Sequence, residues 1–253
     1  MKKFFQNTLA FIATIVSGLA LFSSTLMADN LKVALAAEPT SMDPHYQNLT
    51  INNSFATQVF NALVLQDVNQ NLIPGLASSW TPVDENTWEF KLRPGVKFHN
   101  GASFSAEDVV ATMKRAANVP NSPSSFGTFI KGKTFEIIDD LTLHVSTEKP
   151  YPFTPNDMSR VAIIDSAFEN ATTEDFNTGK ATFGTGPFTF SKWMPGDLIE
   201  IKRNDNYWGS AVEWDSITIR PIKDGTTRTA ALISGDVDFI ERVAPADLPK
   251  NVL

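Results

Sequence analysis

The sequence contains no cysteine. That excludes disulfides, thiol nucleophiles, cysteine-ligated zinc or iron–sulfur centres and a lipid-modified N-terminal cysteine. Histidine is scarce: His45, His99 and His144 lie far apart at no short metal-ligand spacing, and each reads as a surface or strand-face residue. No serine stands in a G-x-S-x-G elbow. Lysine and arginine form no stripe beyond Lys2-Lys3, and at a net charge of −7 the chain lacks the basic face that nucleic acid requires. Repeats and low-complexity tracts are missing too. These absences leave no catalytic site, metal or cofactor to argue for, and the chain reads as a non-enzyme.

What is present is core material. The 253 residues are 42% hydrophobic and 19% charged, a length between one large domain and two modest ones. The 19 Phe and 5 Trp are spread through alternating runs and read mostly as core filling. At the N-terminus, Lys2 and Lys3 precede the apolar run Leu9 to Phe22, then Ala28 and the polar pair Asp29-Asn30. The run is shorter than the ~20 residues needed to span a bilayer, so residues 1–28 read as a signal peptide cleaved after Ala28. Leu26 stands where a smaller residue is usual. Export without a lipid anchor places the mature chain free in a periplasm.

Alternation predicts strands at Leu31–Leu35, Trp88–Arg93, Val96–His99, Ile217–Ile222 and Asp236–Ile240. Two hairpins are predicted, one around Asp139-Asp140 and one around Pro195-Gly196-Asp197. Helices are predicted from Ile51 to Leu63, from Ser105 (with Asp108 three residues on, as in a capping box) to about Ala117, and from Thr226 to Ser234 before Gly235. The acidic pairs Glu107-Asp108, Asp139-Asp140 and Glu174-Asp175 sit at helix starts or turns, where capping accounts for them.

Two nucleotide-like patterns fail on context. Gly127 to Thr134 has the spacing G-x4-G-K-T, but a phosphate loop needs a strand before it and a helix after it. Here a Pro/Ser-rich loop precedes and the strand-like Phe135–Ile138 follows. Gly184-Thr185-Gly186 lacks a third glycine, since Thr189 occupies that place, and runs into a strand.

One set of segments resembles the peptide/nickel-binding family of extracellular solute-binding proteins, which includes the dipeptide- and oligopeptide-binding components of ABC importers. The set is Ala37–Pro44, Gly75–Trp80, Trp88–Gly101, Ser105–Val110, Gly184–Phe188, Arg203–Gly209 and Ala230–Asp238, in that order. The resemblance implies a mixed α/β fold of the type II periplasmic-binding-protein kind, closing on its ligand by hinge motion. It implies that 29–61 and 184–253 belong to lobe one, that 62–183 form an inserted small domain, and that a second lobe lies outside this chain. It further implies capture of a small solute, a short peptide first and nickel, an opine, glutathione or a sugar as alternatives. Delivery would be to an ABC permease in the inner membrane, by a monomer. A secreted hydrolase is the weaker rival, for want of a nucleophile–base pair. By position in the family pattern, Glu38, Pro39 and Thr40, with Thr185, Gly186 and Pro187, are the candidate ligand residues.

Overall fold

A computed structural model describes residues 29–243. The signal-peptide reading of 1–28 and the last ten residues lie outside that range. The fold is mixed α/β, as expected, and is built on two main sheets.

The first sheet has strand order β11-β1-β10-β9-β8. Its members are β1 (Asn30–Leu35), β8 (Phe188–Met194), β9 (Leu198–Arg203), β10 (Ser216–Pro221) and β11 (Phe239–Ile240). β8 to β10 run antiparallel, whereas β1 lies parallel to both β10 and β11. β10 returns to the sheet through α6 (Gly225–Ser234), which ends at Gly235 with φ +80°. That left-handed turn is open to glycine at little cost.

The second sheet, β4-β5-β7-β6, is wholly antiparallel. It comprises β4 (Ala77–Pro82), β5 (Thr87–Leu92), β6 (Lys133–Asp139) and β7 (Thr142–Thr147), crossed by α2 (Ala106–Ala116). A short hairpin, β2 (Val64–Gln66) with β3 (Leu72–Pro74), precedes it. Phe90 and Leu92 are buried and Lys91 exposed, as the alternation in β5 requires. One core gathers Phe90, Leu143, Val109 and Met113 under this sheet; another gathers Phe55, Val59, Phe188 and Ile201 under the first. Ile164, Phe176 and Ala181 pack into the latter.

Several sequence expectations need correction, and the strand expected over Asp236–Ile240 is only Phe239–Ile240. Helix α1 is Thr50–Val59, not 51–63. It stops because the carbonyls of Asn61, Ala62 and Leu63 accept bonds from Ile163, Leu76 and Ala77, and that pairing demands extended backbone. Val96–His99 is no strand: Phe98 N bonds Ala102 O and Phe104 N bonds Val96 O, closing a tight turn with a single bridge from Lys97 to Ser103. Strands β2, β3 and β4 were not anticipated. Two are three residues long, and β4 carries one large apolar side chain, Trp80, so no period-2 signal exists.

The capping reading is borne out. Asp108 accepts from Ser105 N at 2.8 Å, and Asp175 and Thr172 exchange bonds at the start of α5 (Thr173–Asn177). Gly127–Ile130 is a single helical turn, α3, that leads into β6, so no helix follows the G-x4-G-K-T pattern. Its lysine, Lys133, is buried on Asp157 at 2.6 Å and lies over the Tyr151 ring.

Candidate ligand-binding site

Strands β10, β1 and β11 run parallel, so their carboxyl ends open onto one edge of the sheet. In open α/β sheets that edge is where ligands bind. The segment leaving β1 there is Ala36–Thr40. Ala37 and Thr40 are exposed, Glu38 is half-buried and Pro39 is buried.

The Glu38 carboxylate accepts from Trp193 Nε1 at 3.3 Å and Gly196 N at 3.0 Å, which ties it to the β8–β9 hairpin. Thr40 N donates to Asn52 Oδ1 and Thr40 Oγ1 to Gln47 Oε1 at 2.7 Å, holding it near the start of α1. Pro39 walls a cavity of about 200 Å³ with Val33, Leu35, Phe55, Ile217 and Ile219.

The other three candidates sit at the opposite end of α1. Thr185 is fully buried and its Oγ1 donates to Asn61 Oδ1 at 3.1 Å. Gly186 N donates to Val59 O at 2.9 Å, and its carbonyl takes bonds from His99 Nε2 and Asn204 Nδ2. Pro187 O accepts from Asn204 N. Asn52 and Val59 are seven positions apart, about 10 Å along a helix axis. The structure therefore groups Glu38, Pro39 and Thr40 but does not join them to Thr185, Gly186 and Pro187, whose polar groups are engaged within the chain. The glycines at 184 and 186 are needed for close approach: a Cβ on Gly186 would lie 2.6 Å from Val59 C.

A buried polar cluster orders the candidate loop from behind, and the sequence did not reveal it. Arg115, near the end of α2, donates to both Asp43 carboxylate oxygens at 2.9 and 2.7 Å, to His45 Nδ1 at 3.0 Å and to Ala171 O. Thr173 Oγ1 adds a further bond to Asp43. His45 Nε2 lies 2.7 Å from Ala162 O and so carries the proton, leaving Nδ1 to accept from Arg115. His45 is thus a buried core residue, not a surface one.

Burial and then the Arg115 charge push His45 down to about 4, against the opposing pull of Asp43 and the Ala162 bond. Burial alone raises Asp43, but its hydrogen bonds to Arg115 and that charge outweigh it, leaving the carboxyl below its ordinary value. The signal that could have exposed this cluster is a polar stripe on α2. Asp108, Thr112 and Arg115 share one face, and all three bind the chain between Ala162 and Thr173.

Among the described residues no group of three or more His, Asp or Glu is placed to hold a metal, and no helix is long and apolar enough to cross a membrane.

Comparison with known proteins agrees with this architecture. A family model described as bacterial extracellular solute-binding proteins, family 5, middle region, matches residues 71–252. This chain belongs to that family of solute-binding proteins. Among curated relatives, it is 30% identical over 230 residues to the glutathione-binding protein GsiB of Pectobacterium atrosepticum, covering 90% of this chain and 45% of the relative. The chain thus spans less than half the length of that relative. Among solved structures, AgaA from A. tumefaciens in complex with agropinic acid is similar at a TM-score of 0.78 and 27% identity, with 86% of this chain and 45% of that one covered. The Bacillus subtilis oligopeptide-binding protein AppA, in complex with a nonapeptide, matches at a TM-score of 0.77 and 26% identity, with 86% of this chain and 44% of that one covered.

Proposed function

We propose that this chain carries one ligand-contacting half of a periplasmic solute-binding protein. It captures a small solute, a short peptide in the first place, for a membrane permease of the ABC type. The observation that carries the reading is the parallel group β10-β1-β11, whose carboxyl ends present the partly open Ala36–Thr40 segment beside two further loops. Backbone groups of such a loop can pair with an extended peptide as an added strand does. The segment supplies binding groups and no nucleophile–base pair, so the ligand leaves unaltered. In the same reading residues 62–183 form a small domain inserted into lobe one, the protein acts as a monomer, and nucleic acid is not a partner.

Calorimetric titration decides it. Residues 29–253 are titrated with di- to pentapeptides, glutathione, an opine, nickel with histidine, and sugars. A form of the chain extended through a second lobe is titrated against the same panel. The expected result is weak peptide binding by the shorter form and tight binding of one solute by the longer. Tight, stoichiometric binding by residues 29–253 alone overturns the half-site reading, and a non-peptide winner reassigns the solute. Export is checked separately: mature protein beginning at Asp29 in the periplasmic fraction supports it, and intact Met1 in membranes refutes it.

A further inference from the structure

Helix α6 docks in an unusual way: its buried residue is an arginine, Arg228, at 5% exposure. All four acceptors around that guanidinium are main-chain carbonyls. Nη1 donates to Ile222 O at 2.7 Å and Lys223 O at 2.9 Å, where the chain leaves β10. Nε donates to Glu241 O at 3.2 Å and Nη2 to Arg242 O at 3.4 Å, just past β11. Arg242 has φ +58°, in the left-handed region, and the chain there bends around the guanidinium.

What the guanidinium holds is joined in turn to the candidate loop. β11 pairs with β1 over two positions only, Val33 with Phe239 and Ala34 with Ile240. Carboxylates extend that short pairing at both ends: Asp238 Oδ2 accepts from Lys32 N at 2.8 Å, and Glu241 Oε2 accepts from Ala36 N at 3.0 Å. Ala36 opens the segment that holds Glu38, Pro39 and Thr40. Main-chain bonds flank this short ladder too, from Asp238 N to Lys32 O at 2.8 Å and from Glu241 N to Ala34 O at 3.0 Å, so the Glu241 backbone is held on one side by β1 and on the other by Arg228.

We propose that Arg228 is a positioning residue for the ligand loop. It anchors the backbone at Glu241–Arg242, and the Glu241 carboxylate, so placed, fixes the Ala36 amide and the start of the loop. The role assigned to the loop rests on the reading under Proposed function; the mechanical link does not.

Amide hydrogen exchange on residues 29–253 without ligand tests the link, and peptide titration of the same samples tests the role. Arg228→Met should speed exchange at Ala36 and Glu241 by about tenfold or more, while amides in β5 and β7 keep their protection. Arg228→Lys, which keeps one charged donor, should restore part of it. Glu241→Ala should free Ala36 and leave the carbonyls on Arg228 held, and adding Arg228→Met to it should not speed Ala36 further. Unchanged Ala36 exchange in Arg228→Met overturns the proposal. If that variant does not fold, equal Ala36 exchange in Arg228→Lys and the unaltered chain overturns it instead. Faster Ala36 exchange with no change in peptide affinity keeps the link and removes the ligand role of the loop.

Discussion

The Asp43 carboxylate is held by both terminal nitrogens of Arg115, 72 residues further along the chain, at 2.9 and 2.7 Å. This pair ties the loop after β1 to helix α2 over the second sheet. Both side chains are almost fully buried, so each charge depends on the other to offset its lost hydration.

Removing one partner should therefore cost far more than a surface ion pair does. Arg115→Met leaves Asp43 buried and uncompensated, with an expected loss of about 3–5 kcal/mol in urea unfolding. Lys192→Met, on the exposed pair with Glu200, should cost under about 1 kcal/mol. Equal losses would show that the buried pair has no special role.

Stability should fall with acid in a defined window. His45 has its folded pKa lowered from 6.5 to about 4, so the unfolded chain binds more protons between those values. The stabilisation is complete above pH 6.5 and is lost as pH falls toward 4, to a limit of about 3 kcal/mol. Asp43, also lowered, acts in the same direction at still lower pH. Urea midpoints at pH 7, 5.5 and 4.5 should show the decline, and His45→Gln should flatten it. An unchanged slope in that variant would remove His45 from the account.

Lys133 should prove structural. No ATP binding is expected by calorimetry, because its ammonium is buried on Asp157 and β6 follows where a phosphate loop needs a helix. Lys133→Ala should nonetheless destabilise the fold by about 3–5 kcal/mol. ATP binding that disappears in this variant would reverse the assignment.

Gly184 and Gly101 should respond differently to alanine. A Cβ at 184 would lie 1.9 Å from the Val59 carbonyl oxygen, so backbone must move, at an expected cost of about 1–3 kcal/mol or more. At 101 the space is open and only the φ of +89° resists, for about 1 kcal/mol. Chemical denaturation of the two variants gives the comparison, and an equal or reversed order would contradict this packing.

The half-buried face formed by Val33, Leu35, Ile217 and Ile219 should bind an apolar dye such as ANS. Ile217→Thr with Ile219→Thr should lower that fluorescence with little loss of far-UV circular dichroism. Undiminished fluorescence would place the dye elsewhere.

Local patterns were enough to read much of this protein from its sequence. β5 shows its face in Trp88-Glu89-Phe90-Lys91-Leu92; the β8–β9 hairpin shows its turn in Pro195-Gly196-Asp197; α6 shows its end in Gly235. Each is set by contacts within a few residues, through side-chain period, turn chemistry and caps. The tertiary structure alone decided where α1 stops, because the partners of Asn61, Ala62 and Leu63 come from distant strands and loops. It likewise separated Glu38, Pro39 and Thr40 from Thr185, Gly186 and Pro187, which family position had grouped. And it turned Arg115 inward onto Asp43, His45 and Ala171, acceptors contributed by distant segments. A buried charge is stable only where such acceptors converge, and the polar face of α2 marks Arg115 without saying which distant segments supply them.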